Sequence, residues 1–329
     1  MTTRGFFLGK FMPPHRGHLF VAETALRLCK RLSVLVCSTD AEPIDGALRA
    51  GWMRRLLPDA DILHLHRNLP QAPEDDPDFW PIWRAAILEA EPRVIDRVFG
   101  SEPYVFRLAH ELGAEPVIVD PEREVFNIRA SAIRAEPARC WADIPEIVRP
   151  HFQKRLTILG PESVGKTRLA AALAQEFSTR VAPEYGRTYD VHYKRGKNWR
   201  AEDFAALAET HRAMREAMAG EAGPLLIEDT DALQTAVWSL FIVGEIAPAL
   251  EKIERETIAD HYFLLTPEVV WVQDGVRYAG SDETRAFFFE EARRRLSRLG
   301  AAFDIIAGAD IAARTAAAIA RARAVFLDC

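Results

Sequence analysis

Residues 155–177 read RLTILGPESVGKTRLAAALAQEF. The opening RLTIL is a short apolar run of the kind that forms a buried strand. Residues 160–167, GPESVGKT, match G-x-x-x-x-G-K-[ST] in full. In that motif the backbone N–H groups of Gly160, Pro161, Glu162, Ser163, Val164 and Gly165, proline's missing donor apart, form a loop that cradles phosphate oxygens. Lys166 reaches the β- and γ-phosphates of ATP, and Thr167 is placed to ligate Mg²⁺. The Ala- and Leu-rich run that follows predicts a helix over 166–177. A strand, a glycine-bearing turn and a helix in succession place a phosphate site at the carboxyl end of a parallel sheet.

Downstream, strands are predicted near 179–182 and over 224–228, 262–266 and 303–307, with an Ala-rich helix running to about 325. The run PLLIEDTD ends in Glu228, Asp229 and Asp231. Asp229 is a candidate for the Mg²⁺ ligand or for the base that takes a substrate hydroxyl proton; acids at a strand end also serve as helix caps. In EYGR, residues Glu184, Tyr185 and Arg187 suit a grip on ribose or phosphate, with a solvated loop as the other reading. In WVQDGVR, Arg277 is expected to close over the transferring phosphoryl group of ATP, with Arg285 of the following helix. Trp238, Trp271 and Tyr278 suit stacking on a flat cationic ring, core packing being the alternative.

Upstream, the segment VRPHFQK at 148–154 holds Pro150 and interrupts the pattern, which divides the chain into domains at 1–150 and 151–329. In the first domain, strands over 5–9, 33–37, 62–66, 95–100 and 115–119 alternate with helices over 17–31, 47–57, 79–90 and 103–112. Both halves therefore read as α/β, each a parallel sheet covered by helices, with a Rossmann-like first half and a P-loop second half. Residues 68–78, NLPQAPEDDPD, read as a solvated loop or a flap beside a site.

The first strand ends in GKFMPPHRGH, residues 9–18. His15 and His18 are three apart, so one helical turn aims both at one ligand. Gly9 and Gly17 permit close backbone approach, Pro13 and Pro14 stiffen the turn, and the helix N-terminus favours anions. Gly9, Lys10, Phe11, His15, Gly17 and His18 are thus candidate ATP-binding residues. Charge that builds on the α-phosphate as pyrophosphate leaves can be met by imidazole donors. After the strand at 115–119 comes DPEREVFNIRASAIR, residues 120–134, in which Ser131 and Arg134 stand one turn apart at a helix start and suit the β- and γ-phosphates.

These two segments resemble the nucleotidylyltransferase superfamily, with its HxGH turn and later ISxTxxR-like helix start. The resemblance implies direct in-line transfer of a nucleotidyl group without a covalent enzyme intermediate. Ser131 and Arg134 are retained, and Ala132 stands where that pattern often has threonine. Taken with the joining stretch CWADIPEIVRPHFQKRLTILGPESVGKT, and with APEYGR, EDTD and WVQDGVR, the chain resembles the NadR-type bifunctional family over nearly its whole length. That resemblance implies a ribosylnicotinamide kinase joined to a nicotinamide mononucleotide (NMN) adenylyltransferase, with ATP as co-substrate of both. It implies a base or metal role for Asp229, a ribose contact for Asp231, and Trp80 or Trp83 stacking on nicotinamide. Two alternatives stand beside it: a phosphopantetheine adenylyltransferase fused to a dephospho-coenzyme A kinase, and a non-catalytic nucleotide sensor.

Composition narrows the field. The formal net charge is −6 over 329 residues, which argues against a polyanion-binding face. Some members of the resembled family carry an N-terminal helix-turn-helix; a catalytic strand starting near residue 5 leaves no room for it here, and no nucleic-acid partner is expected. No zinc-like spacing links the four cysteines, no apolar run is long enough to span a bilayer, and no signal peptide opens the chain. The expected location is the cytoplasm. Oligomeric state is not legible.

Overall fold

The computed structural model describes residues 3–269 and 281–327. The chain divides into two compact units, one ending at His151 and the other beginning at Phe152.

The first unit runs β1 (Arg4–Gly9), α1 (Arg16–Leu28), β2 (Arg31–Ser38), α2 (Gly46–Leu56), β3 (Asp61–His66), α3 (Phe79–Ala90), β4 (Arg97–Gly100), α4 (Tyr104–Leu112), β5 (Glu115–Ile118) and α5 (Ala130–Ala135). Its strands are all parallel, in the order β3-β2-β1-β4-β5. Successive residues of a strand face opposite sides of a sheet. Phe7, Val34 and Val36 accordingly pack with Val21, Ala22 and Ala25 of α1 and with Met53 of α2. Phe6, Leu35 and Val98 pack on the other side with Ile87 of α3 and Val105 and Leu108 of α4. The order reverses between β1 and β4, and a cleft opens at such a switch point.

The second unit runs β6 (Lys154–Leu159), α6 (Lys166–Glu176), β7 (Val181–Ala182), α7 (Gly186–Tyr189), α8 (Ala201–Ala219), β8 (Leu225–Asp229), α9 (Ala232–Val243), α10 (Pro248–Glu256), β9 (His261–Leu265), α11 (Asp282–Leu299), β10 (Phe303–Ile306) and α12 (Ile311–Phe326). A five-residue π-helical turn, Asp190–Lys194, follows α7. The sheet is again parallel, in the order β10-β9-β6-β8-β7. Leu156 and Ile158 of β6 pack against α6 and α12, while Leu159 joins Leu233 of α9 and Phe288 and Leu296 of α11. The phosphate loop thus leaves the central strand of the sheet.

The strand and helix expectations agree with the observed elements to within about two or three residues at nearly every end. Helices α7, α8, α9 and α10 were not among them. Charged residues interrupt α8, yet Phe204, Leu207, Ala208 and His211 recur at helical spacing and form its buried stripe.

Candidate active sites

In the first unit, the turn from β1 into α1 brings His15 and His18 into contact. Their rings stack with centroids 3.7 Å apart, and His18 meets the edge of Phe11 at 5.0 Å. The backbone N–H of His15 donates to Nδ1 of His18 at 3.3 Å. A neutral His18 therefore carries its proton on Nε2. Burial, and then the Arg123 charge, hold His15 down at about 4. Burial also holds His18 well below the usual imidazole range, with His15 and Arg123 adding to it. Both rings are neutral donors at pH 7. A Cβ at Gly17 would press on the His15 ring, 3.2 Å away.

A cleft of about 320 Å³ contains these histidines together with Gly17, Ser131, Arg123 and Arg129. Ser131 lies in the first turn of α5, as its expected role requires. Arg134 reaches the same turn differently: its guanidinium donates to the Met12 carbonyl. Phe11 is buried, with its ring 3.0 Å from where a Gly9 Cβ would stand. Lys10 points elsewhere, pairing with Glu42 at 3.1 Å in a smaller cleft that Ser38, Thr39 and Trp83 also line. Trp83 donates to the Pro70 carbonyl at 2.9 Å, within the 68–78 loop. Trp80 packs against the core with the Arg107 guanidinium 5.5 Å from its ring, and does not line that cleft.

In the second unit, the phosphate loop takes the backbone that its sequence demands. Gly160 has φ +144, and a Cβ there would meet the Leu265 carbonyl oxygen at 2.9 Å. Ser163 and Gly165 have φ +62 and +87. The Lys166 ammonium donates to the carbonyls of Gly160 (3.1 Å) and Pro161 (2.8 Å). The Thr167 hydroxyl donates to Asp229 Oδ2 at 2.6 Å, while Asp229 Oδ1 is buried without a partner. The Gly160 N–H donates to Gln234 of α9 at 3.1 Å.

Beside the loop lies a cavity of about 330 Å³, lined by Glu184, Tyr185, Arg187, Trp199, His211 and Trp238 among others. Burial raises the Glu184 pKa, with Asp229 adding to the rise and Lys166 opposing it. Trp238 also packs on Phe288, with ring centroids 4.4 Å apart.

Asp231 departs from its expected role. It caps α9, accepting from the N–H groups of Leu233 (2.9 Å) and Gln234 (3.3 Å), and its other oxygen accepts from the Tyr262 hydroxyl at 2.9 Å. Burial, aided by Glu228, pushes its pKa up to about 6, and it does not line the cavity. This is a cap rather than a ribose contact. Arg285 is buried with its guanidinium 2.7 Å from the Val269 carbonyl, away from the cavity. Trp271, Arg277 and Tyr278 lie outside the described residues.

Comparison with known proteins bears on both units. The AAA domain family model matches residues 155–314. The trifunctional NAD biosynthesis/regulator protein NadR of Salmonella typhimurium is 29% identical over 302 residues, covering 86% of this chain and 74% of that protein. The Escherichia coli protein of the same name is 29% identical over 304 residues, covering 87% and 74%. The chain belongs to the NadR-type family. A crystal structure of a NadR protein in complex with NR has the same fold at a TM-score of 0.79 and 21% identity, covering 98% of this chain and 96% of that one. The nicotinamide-nucleotide adenylyltransferase of Methanoculleus marisnigri is 30% identical over 118 residues, 34% of this chain and 67% of its own.

In this NadR-type chain, sequence reasoning missed several residues that line the two clefts. Arg123 and Arg129 lie inside the segment already singled out, so their charge was the available signal. Trp199 and His211 lie in a loop and in mid-helix, without a motif to mark them. Among the described residues, no group of three or more His, Cys, Asp or Glu is arranged to hold a metal, and no helix is long and apolar enough to cross a membrane.

Proposed function

We propose that the chain phosphorylates ribosylnicotinamide with ATP to give NMN, and joins NMN to the AMP moiety of a second ATP to give NAD and pyrophosphate. The observation that carries this reading is the presence, in one NadR-type chain, of two clefts each built at the exit of a central strand and each furnished with phosphate donors.

In the adenylyl half, the neutral imidazoles of His15 and His18 and the N-termini of α1 and α5 offer N–H groups to phosphate oxygens. The NMN phosphate attacks the α-phosphorus in line while the bond to pyrophosphate breaks. Donors already aimed at oxygens that gain charge lower the barrier without reorganisation. Ser131, Arg123 and Arg129 surround the leaving group. Lys10 and Trp83 border a separate cleft of about 10 Å³, which is too small for a mononucleotide.

In the kinase half, the loop N–H groups and Lys166 hold the ATP phosphates. Thr167 and Asp229 suit Mg²⁺: two hard oxygens held 2.6 Å apart by the threonine's hydrogen bond, with the second Asp229 oxygen buried and unpartnered. Phosphate oxygens and water would complete its shell, and the ion would neutralise charge on the phosphates. Asp229 is thereby taken up on the metal side. Glu184 is then the group suited to accept the 5′-hydroxyl proton, since burial raises its basicity and it faces the cavity. Tyr185, Arg187, Trp199 and Trp238 form the remaining wall for the nucleoside.

The test is a product assay by chromatography from ribosylnicotinamide and Mg·ATP, run beside NMN and ATP. NAD is expected from both. Lys166→Ala should abolish the first route and spare the second. His18→Ala should stop NAD formation while NMN accumulates. Dephospho-coenzyme A or coenzyme A formed from the matching substrates, with no NAD, would replace this reading by the competing fusion.

A further inference from the structure

Arg314 of α12 is 4% exposed, and its guanidinium meets backbone carbonyls. Nη2 donates to Thr266 at 2.9 Å and Nε to Ile306 at 3.2 Å; Nη1 lies 3.4 Å from both Val164 and Gly308. Among the described residues it makes no ion pair. Glu268 is the acid whose charge acts on it, but that carboxylate is engaged with the Thr266 hydroxyl, at 3.1 Å, and with the Gly308 N–H. The arrangement is a poor stability device, because a desolvated guanidinium is compensated by dipoles rather than by a counter-charge.

Its four partners share a location. Thr266 follows the last residue of β9, Ile306 ends β10, and Gly308, with φ +115, turns the chain toward α12. Val164 sits inside the phosphate loop, between Ser163 and Gly165. A trans peptide plane points its C=O and the following N–H in opposite directions. Holding the Val164 carbonyl toward α12 therefore turns the Gly165 N–H toward the opposite side, where the loop receives phosphate. The same guanidinium fixes the 306–308 turn, at the carboxyl ends of the strands where a nucleotide lies.

We infer that Arg314 is a positioning residue of the kinase ATP site, setting the Gly165 N–H and the 306–308 turn in register for one nucleotide. The inference rests on the proposed role of the phosphate loop in binding ATP, and it assigns Arg314 to ATP rather than to the nucleoside acceptor.

The test uses the full chain as Arg314→Lys and Arg314→Met. The readouts are KM for ATP and for ribosylnicotinamide, the Kd for Mg·ATP in His18→Ala backgrounds, and adenylyl transfer as an internal control in the otherwise native chain. The expected result is a rise in kinase KM and Kd for Mg·ATP of about tenfold or more in Arg314→Met, less in Arg314→Lys. The riboside KM and adenylyl transfer stay unchanged. An unchanged KM for ATP overturns the inference. So does a fall in kcat with a parallel rise in both KM values, or collapse of the second unit in both variants, since each assigns Arg314 to the core. Absence of riboside phosphorylation in the native chain would count against the proposed function alone, because Mg·ATP binding still reports on Arg314.

Discussion

At the scale of single residues, the proposed division of labour in the kinase half rests on two carboxylates of different surroundings. Asp229 is bonded to the phosphate-loop threonine, whereas Glu184 faces the cavity with its pKa raised by burial. Glu184→Gln should lower kcat for riboside phosphorylation by about 10²–10⁴, the usual range for a lost general base, with little change in KM for ATP. Asp229→Asn should instead raise the Mg²⁺ concentration needed for half-maximal rate. A Mg²⁺ titration of both variants separates the roles, and exchanged phenotypes would reverse the assignment. In the adenylyl half, His15 is held at about 4 and His18 well below its ordinary value. Since both stay neutral, kcat/KM for ATP should show no histidine inflection between about pH 6 and 8. The same shifts carry a stability consequence. The unfolded chain takes up protons near pH 6.5 and the folded one only near 4, so the folded state loses stability as pH falls through that window. Thermal unfolding across it should show the first unit's Tm falling with acid, and less steeply in His15→Gln.

At the scale of elements, the turn that enters α1 is shaped around rings rather than around helix propensity. Alanine at position 17 should favour the helix by up to about 1 kcal/mol, yet its Cβ would press on the His15 ring. Gly17→Ala is therefore expected to keep or raise Tm while lowering adenylyl transfer by about tenfold, roughly 1.4 kcal/mol of transition-state stabilisation. A full-rate variant would show that the ring has room to move. The elements that were legible in the sequence share this local determination. Strand β6, its loop and α6 follow from an apolar run, fixed glycines and a helical stripe, each read within a few residues. The fate of Asp231 was not legible, because EDTD places three acids at one strand end and only the packing of Tyr262 shows which one is consumed as a cap. Arg314 was equally silent. In IAARTAAAIARARAVF it looks no different from Arg321 and Arg323, which pair with Asp304 and Glu176 at the surface. Burial by contacts distant in sequence distinguishes it.

At the scale of the whole molecule, a chain of net charge −6 handles polyanionic substrates through local donors: loop and helix N–H groups, two neutral histidines, and a few arginines and lysines. Each of the two units lines its cleft with such donors from its own residues. If each set suffices for its reaction, the mononucleotide made in one unit can be consumed by a unit of another chain. Equimolar Lys166→Ala and His18→Ala, each unable to make NAD from the riboside alone, should then make it when mixed. Progress curves should show a lag while free NMN accumulates, and the lag should vanish when NMN is supplied at the start. Afterwards the mixture should approach the native rate per active site. A mixture that stays inactive, although each variant retains its spared reaction, would require the intermediate to remain within one chain and would overturn the independence of the two units.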